Sequence, residues 1–208
     1  MIHLLSYPRS GNHLYRAFIE FHTQTMTHGS LNSPTDKSIH EKTNGQISID
    51  SAKVKYVYKS HFIKEVLHRE FVNREQIWKL NMIVRDPIDA ISSHVARSRA
   101  YTSFLSSKFD REQTIENNIE NYLNIISFYK NYSGDKDVIL YSDMISGKTI
   151  NTKFFGSIDF SRQDIRGLAQ SSQTSLKGTS KKTIIRDAIL TSPYSQTLKF
   201  LYDEIISK

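Results

Sequence analysis

The amino-acid sequence predicts an α/β fold with a central parallel sheet flanked by helices. Short apolar stretches alternate along the chain with segments of helical periodicity, which is the pattern of parallel strands joined by helical crossovers. The chain has 208 residues, enough for one sizeable core, and its 4 prolines and 8 glycines fit a globular protein. We therefore expect a single domain over residues 1–208.

The N-terminal part of the chain predicts two strands, each followed by a helix. Residues 2–7 (IHLLSY) suit a short buried strand, and apolar residues follow at helical spacing after a turn. Residues 23–51 are rich in Ser, Thr, Asn and His, so we expect a long surface loop there. Residues 54–61 (VKYVYKSH) predict a second strand because they are rich in Val and Tyr, and a short helix is expected over 63–72.

Two further strands and a series of helices are predicted downstream. Residues 78–87 (WKLNMIVRDP) predict a third strand, and Pro87 suits the first turn of the helix that follows it. Residues 136–144 (KDVILYSDM) predict a fourth strand. Helical patterns cover residues 111–131, about 147–155, 161–171, 180–190 and 194–206. Ligands of such folds bind at the carboxyl ends of the strands, so the residues after each strand are candidates for a site.

The composition favours anionic partners and excludes thiol chemistry. The chain has 28 Lys and Arg against 21 Asp and Glu, and its net charge of +7 suits nucleotides, sulfated or phosphorylated ligands, nucleic acid or an anionic membrane. It has no cysteine, and hence no disulfide and no thiolate metal site. No window approaches the ~20 apolar residues of a membrane span, and the polar N-terminus does not fit a secretory signal. We expect a cytoplasmic protein without a membrane partner.

The loop after the first strand, within SYPRSGNHLYRAFIE (6–20), has the features of an anion site. It lies between a strand and a helix, where backbone N–H groups and the positive end of the helix dipole converge. Gly11 is its only glycine and no Lys-Ser or Lys-Thr pair follows, so the Walker A pattern is absent. The alternative is a tight turn made by Pro8 and Gly11, in which Arg9 is a solvated surface charge.

The second strand ends in Lys59, Ser60 and His61. Because the ordinary pKa of histidine is ~6.5, His61 is a candidate general base at neutral pH. A structural role is the alternative, since the chain has 8 histidines. No two of them have the i, i+4 spacing of a helical zinc site, and we expect no metal.

The third strand is followed by Arg85, and Ser92 and Ser93 lie two turns into the next helix. A guanidinium and a hydroxyl on adjacent elements could hold one anion. In the alternative, Asp86 caps the helix and Arg85 pairs with Asp89. The two arrangements are compatible.

In this order, the three motifs resemble those of the sulfotransferases that use 3′-phosphoadenosine 5′-phosphosulfate (PAPS). YPRSGNH resembles the family's 5′-phosphosulfate loop, Y-P-K-S-G-T-T, with Arg9 at the lysine position, and YKSH is similar to its K-T-H segment. RDPIDAISS resembles its 3′-phosphate motif, an arginine followed eight residues later by a serine. LYSDM (140–144) is similar to its Y-E-D-L strand end. The resemblance covers about residues 2–160.

The resemblance implies a P-loop NTPase-like sulfotransferase architecture. It implies in-line transfer of a sulfuryl group from PAPS to a hydroxyl or amine of a small-molecule or glycan acceptor, without a metal. In that reaction His61 would take the acceptor proton, Arg9 would neutralise charge on the bridging oxygen, and Lys59 would help hold the moving group. The residues that the resemblance assigns to PAPS are Arg9, Ser10, Gly11, Asn12, His13, Arg85, Ser93, Tyr141, Lys177 and Gly178.

The chain departs from the family pattern at two places. Leu14 stands where the cytosolic enzymes carry an adenine-stacking tryptophan, which leaves Tyr141 to approach the adenine. The family's late R-K-G triplet has only LKG (176–178) as a counterpart, and Lys181 or Lys182 could serve instead. A solvated helix start is the alternative for this basic run.

Two other functions compete with this interpretation. An ATP-dependent phosphotransferase of P-loop-like fold is disfavoured because the Walker lysine is missing. A non-enzymatic protein that binds polyanions is motivated by the net charge of +7. Under the sulfotransferase interpretation, nucleic acid is disfavoured as a partner.

Overall fold

A computed structural model of the chain describes residues 1–24, 27–29, 38–42, 57–171 and 179–207. The strands are β1 (Ile2–Ser6), β2 (Thr27–His28), β3 (Val57–Ser60), β4 (Lys79–Val84), β5 (Lys136–Leu140), β6 (Thr149–Thr152) and β7 (Gly156–Asp159). The helices are α1 (Asn12–Thr23), α2 (Ile39–Lys42), α3 (Ile63–Val72), α4 (Pro87–Val95), α5 (Ala100–Ser106), α6 (Lys108–Asn131), α7 (Tyr141–Ile145), α8 (Gln163–Ser171), α9 (Thr179–Leu190) and α10 (Ser195–Ile206).

The central sheet contains five parallel strands in the order β2-β3-β1-β4-β5. Helices flank it, so the predicted α/β class with a central parallel sheet is confirmed. β1 lies in the middle and pairs with β3 on one side and β4 on the other. In open parallel sheets, ligands bind outside the carboxyl ends of the strands where the strand order reverses. Here that position is beside the end of β1.

The chain divides into two compact units. The sheet unit consists of Met1–Ser6, Ser10–Val84 and Asn131–Ser175. The helical unit consists of Tyr7–Arg9, Arg85–Lys130 and Leu176–Lys208. The expectation of a single domain over 1–208 stays a prediction.

The apolar core of the sheet unit joins α1 to the sheet. Leu4, Ile83 and Ile139, on three adjacent strands, belong to one buried cluster with Tyr15 and Phe18 of α1. Full burial of an aliphatic or aromatic side chain contributes about 1.5–3 kcal/mol, so these contacts are a main source of the unit's stability. The helical spacing of apolar residues after the first strand predicted this packing correctly.

Two buried charged residues of α1 hold β2 at the edge of the sheet. Arg16 is fully buried, and its Nε donates to Thr27 Oγ1 at 2.7 Å. The Glu20 carboxylate, also fully buried, accepts the Thr27 N–H at 3.1 Å and the His40 N–H, in α2, at 2.7 Å. The predicted surface loop 23–51 lies partly outside the described residues, and its described part includes β2 and α2.

The helix predicted over about 147–155 is wrong, because this segment contributes to a hairpin. β6 and β7 pair antiparallel, with Thr149 opposite Asp159. The positive φ of 76° at Gly147 follows the end of α7, and Gly156 has φ 74° where the hairpin turns. Thr149, Ile150 and Thr152 are β-branched, which favours a strand over a helix.

The fourth predicted strand is also shorter than expected. β5 ends at Leu140, and residues 141–145 form the short helix α7 instead of continuing the strand. The third strand likewise ends at Val84, before Arg85. For the second strand, 57–60 is confirmed and 54–56 lie outside the described residues.

The remaining predicted helices are confirmed within a few residues. The predictions 63–72, 111–131, 161–171, 180–190 and 194–206 correspond to α3, α6, α8, α9 and α10. In the helical unit, α4 packs against α9 and α10, and the Tyr7 hydroxyl donates to Asn118 Oδ1 of α6 at 2.6 Å. None of the helices in the described part of the chain is long and apolar enough to span a membrane.

The buried His3 of β1 makes the stability of the sheet unit depend on pH. Its ring stacks on Trp78 at 4.2 Å, and burial together with the charges of Arg69 and the N-terminus lowers the pKa of His3 to about 3. Between about pH 6.5 and 3 the unfolded chain therefore binds a proton that the folded chain does not. The free energy of unfolding falls as the pH drops through this window, by up to about 1.4 kcal/mol per pH unit.

We predict that His3→Phe removes this contribution while it keeps the stack on Trp78. Urea unfolding of both proteins at a series of pH values measures it. Above about pH 6.5 the two curves should run parallel, and below it the wild type should lose stability faster. Parallel curves throughout the acid range would show that His3 is not the group responsible.

Candidate functional site

The loop after β1 leads into the N-terminus of α1, which has no side-chain cap. Gly11 is the N-cap residue, with φ 88°, and the first turn contains no acidic residue. The first N–H groups of a helix have no partner within it, and the helix dipole makes this end partly positive. The N-terminus of α1 is therefore suited to bind an anion.

Gly11 is required by both its backbone conformation and its surroundings. A Cβ atom at this position would lie 2.4 Å from Cδ2 and 2.7 Å from Cε2 of Tyr141. The Tyr141 ring therefore lies directly against the backbone at the start of α1. Tyr141 thus lies immediately after β5, at the first position of α7, beside the loop that contains Gly11.

Two polar side chains of this loop are buried with unused hydrogen-bonding capacity. Ser10 is fully buried and Asn12 is 4% exposed. Within the described residues, neither Ser10 Oγ nor Asn12 Oδ1 has a hydrogen-bond partner, whereas Asn12 Nδ2 donates to Ser6 Oγ at 3.2 Å. A buried polar atom left unpaired costs about 1–3 kcal/mol, and such atoms are typical of a site that a ligand completes. His13 follows in the first turn and is half-buried.

The register of β3 against β1 places His61, the residue after β3, beside Ser6 at the end of β1. β3 pairs with β1 so that Ser60 is opposite Leu5, and the next residues, His61 and Ser6, are hydrogen-bonded. His61 Nδ1 is 2.8 Å from the carbonyl oxygen of Ser6 and 3.3 Å from its Oγ. Because a carbonyl only accepts, Nδ1 carries the proton, and in the neutral ring Nε2 carries the lone pair.

The remaining residue of this motif, Lys59, is buried in β3. It is 7% exposed and pairs in register with Leu4. Its carbonyl oxygen accepts hydrogen bonds at 3.2 Å from both terminal nitrogens of Arg69. The sheet unit thus brings together the α1 N-terminus, Tyr141 and the strand end that carries Lys59 and His61.

In the helical unit, Arg85 is held by several contacts at the start of α4. Its NH1 donates to the carbonyl of Arg9 at 2.8 Å, and its own carbonyl accepts from the Tyr122 hydroxyl at 2.7 Å. Asp86 caps α4 by accepting the Asp89 N–H at 2.8 Å, as the alternative reading of this motif predicted. Arg85 NH2 also lies 3.7 Å from Asp89 Oδ2.

Asp89 contacts three cations, of which one lies just before α4 and two lie on α9. Besides Arg85, Lys182 Nζ lies 3.2 Å and Arg186 NH1 2.7 Å from Asp89 Oδ1. Burial alone would raise the pKa of Asp89, but the hydrogen bond and charge of Lys182 and the charges of Arg85 and Arg186 lower it below its usual value. Ser93 lies four residues after Asp89 and hence on the same face of α4. We call Arg85, Asp89, Ser93, Lys182 and Arg186 the basic cluster.

The structure describes only some of the C-terminal residues that the resemblance assigned to PAPS. Lys177 and Gly178 lie outside the described residues. Of the two alternatives, Lys182 joins the basic cluster, whereas Lys181 Nζ lies 4.4 Å above the ring of Tyr101. Sequence reasoning missed Arg186, although its spacing of four from Lys182 on a helix is the signal that would have found it.

Arg9 has a strained backbone, and Leu14 has an apolar environment. The φ of Arg9 is 69°, a left-handed conformation that costs a non-glycine residue about 1–2 kcal/mol. Leu14 packs against the apolar core of the sheet unit. No group of three or more metal-ligating side chains occurs among the residues that the structure describes.

No protein-family model matches this chain, and no curated protein matches it either. The functional interpretation therefore depends on the motifs and on the geometry of the two units.

We predict that Gly11→Ala destabilises the protein more than Gly156→Ala does. Both glycines have a positive φ, but a Cβ at Gly156 meets nothing within 4 Å. Strain alone should cost about 1–2 kcal/mol at either site, and the collision with Tyr141 should add about 1–3 kcal/mol at Gly11. Urea unfolding measures both losses. Equal losses would show that the Tyr141 ring yields without cost.

Proposed function

We propose that the chain is a sulfotransferase that moves a sulfuryl group from PAPS to a hydroxyl or amine acceptor. One observation carries this proposal: the hydrogen bond between His61 Nδ1 and the Ser6 carbonyl, at 2.8 Å. It joins the candidate base to the residue from which the anion-binding loop departs. It also selects the tautomer in which Nε2 can accept a proton.

In the proposed reaction, His61 Nε2 takes the proton of the acceptor as its oxygen or nitrogen attacks the sulfur. The bond between sulfur and the bridging oxygen of PAPS breaks, and adenosine 3′,5′-bisphosphate leaves with that electron pair. The acceptor ends with the sulfuryl group, and the proton remains on His61. The Ser6 carbonyl keeps its hydrogen bond to Nδ1–H throughout and stabilises the imidazolium that forms.

The phosphosulfate is proposed to bind at the N-terminus of α1. The N–H groups of residues 10–13 and the helix dipole would hold its charge, and the buried Ser10 Oγ and Asn12 side chain offer further hydrogen bonds. Arg9 and Lys59 would stabilise the charge that develops on the bridging and transferred oxygens. Arginine does not deprotonate, so Arg9 would act by charge and hydrogen bonding alone. These cations leave no need for a metal in the proposed reaction.

The 3′-phosphate is proposed to bind at the basic cluster of the helical unit. Arg85 and Ser93 take the roles that the motif implies, and Lys182 with Arg186 supplies the positive charge expected from the C-terminal region. The adenine is assigned to Tyr141. A P-loop-like architecture belongs to the same proposal, and the central position of β1, with the loop and α1 directly after it, supports it.

We predict that His61→Ala abolishes sulfuryl transfer and leaves nucleotide affinity nearly unchanged. The acceptor is found by incubating the protein with PAPS and a library of alcohols, phenols and amines, and by detecting the added sulfuryl group by mass spectrometry. Loss of a general base should lower turnover by about 10²–10⁴-fold. His68→Ala, at an exposed histidine of α3, is the matched control.

Affinity for adenosine 3′,5′-bisphosphate is measured in parallel. If it falls together with turnover in His61→Ala, His61 has a structural role and does not act as the base. If the library yields no sulfated product with the wild type, the proposed reaction fails for these acceptor classes.

We predict that adenosine 3′,5′-bisphosphate raises the melting temperature more than Mg-ATP does at equal concentration. Ligand at 100 times its Kd stabilises a protein by about 2.7 kcal/mol, which a thermal shift detects. Arg85→Ala and Lys182→Ala should weaken this effect, and Lys181→Ala, the neighbouring lysine, should not. A larger shift with Mg-ATP would favour a phosphotransferase. Steeply salt-dependent binding of heparin without selectivity for the 3′-phosphate would favour a polyanion-binding protein.

A further inference from the structure

One face of α3 carries a glutamate and an arginine that contact the end of β3, next to His61. Glu65 and Arg69 are four residues apart and thus lie on the same face of the helix. Their exposed fractions are 2% and 4%, so both charges are buried in the sheet unit. Buried charges of this kind are costly unless hydrogen bonds and an opposite charge compensate them.

Both side chains form their hydrogen bonds with consecutive residues at the end of β3. Arg69 NH1 donates to Ser60 Oγ at 2.6 Å and to the Lys59 carbonyl at 3.2 Å, and NH2 donates to the same carbonyl at 3.2 Å. Glu65 Oε2 accepts the backbone N–H of His61 at 3.2 Å. Three successive residues are therefore held by one face of α3.

We propose that Glu65 and Arg69 are positioning residues that hold His61 in the orientation from which Nδ1 donates to Ser6. The base role of His61 rests on the function proposed above, but the positioning itself does not. Arg69 fixes the backbone and the hydroxyl of the two residues before His61, and Glu65 fixes its backbone N–H. Because α3 holds the main chain of His61, its ring lies with Nδ1 2.8 Å from the Ser6 carbonyl oxygen.

These bonds stabilise the fold as well as positioning His61. Arg69 also donates to the Gly29 carbonyl at 3.4 Å and lies 4.9 Å from the Tyr58 ring centroid, so it does link β3 to neighbouring segments. The Glu65 carboxylate accepts the backbone N–H of His61, the residue that carries the candidate base. Burial lowers the pKa of Arg69, and the charge of Glu65 opposes that shift, so the two charges support each other.

Two variants of Glu65 separate hydrogen bonding from charge. Glu65→Gln keeps the reach of the side chain and an oxygen acceptor, whereas Glu65→Asp keeps the charge but is one methylene shorter. Glu20 supplies the matched control. It is buried on α1 and accepts the backbone N–H groups of Thr27 in β2 and His40 in α2, so Glu20→Asp loses comparable bonds that do not involve residues 59–61 at the end of β3.

The first measurement is the tautomer of His61, read from the ring nitrogen shifts in NMR spectra at a pH where the ring is neutral. We expect the Nδ1–H form to predominate in the wild type, Glu65→Gln and Glu20→Asp, and to lose its predominance in Glu65→Asp. We also expect the His61 amide hydrogen to exchange about tenfold faster in Glu65→Asp, as loss of one hydrogen bond implies. An unchanged tautomer and exchange rate in Glu65→Asp, or equal changes in Glu20→Asp, would overturn the proposal.

The second measurement is turnover with PAPS and an acceptor. Glu65→Asp should lower kcat about tenfold and leave the affinity for adenosine 3′,5′-bisphosphate unchanged, while Glu65→Gln retains most of the activity. If the wild type transfers no sulfuryl group but the tautomer responds as expected, the proposed function fails and the positioning stands. If turnover is normal in Glu65→Asp although the wild type is active, the positioning is wrong and the function stands.

Discussion

The parallel register of β1 and β3 is the constraint on which the candidate site depends. With Leu5 opposite Ser60, the next residues, Ser6 and His61, leave the sheet side by side and form a hydrogen bond. Val57 of β3 belongs to the same buried apolar cluster as Leu4, and a slip of β3 by one residue would turn Val57 to the other face of the sheet, so the apolar core enforces the register. The packing of the core thereby determines the geometry of the candidate base.

Two helices of the sheet unit each bury a pair of oppositely charged residues. α1 buries Arg16 and Glu20, and α3 buries Glu65 and Arg69, each pair four residues apart. The α1 pair bonds to β2, and the α3 pair bonds to the end of β3. Buried charges stabilise a fold only when their hydrogen bonds are satisfied. These hydrogen bonds form in only one arrangement of the neighbouring elements, whereas apolar contacts tolerate several. The α1 pair explains how a strand of two residues, β2, is held in place.

The helical unit uses charge differently, because its basic cluster is partly exposed. Asp89 balances Arg85, Lys182 and Arg186, and their influence keeps the pKa of Asp89 low, so the carboxylate stays ionised at neutral pH. Exposed ion pairs contribute little to stability, about 0–1 kcal/mol each. In the proposed function a 3′-phosphate would share these cations with Asp89. The contacts of Asp89 hold Arg85, just before α4, together with the two cations of α9 before a ligand binds.

The α/β class, the succession of the main strands along the chain and the motifs at their ends could be predicted from the sequence, because apolar periodicity and turn residues are local signals. The sequence pattern did not predict the β6–β7 hairpin, whose first strand lies within the expected helix 147–155. It also placed the end of the fourth strand too late, because Tyr141 already starts α7. Arg186 could have been found from its spacing of four from Lys182, whereas Glu65 and Arg69 were not predicted because they bond to backbone atoms and to a side chain of another element. Contacts of this kind depend on strand register and helix packing, which bring together groups that spacing along the chain does not relate.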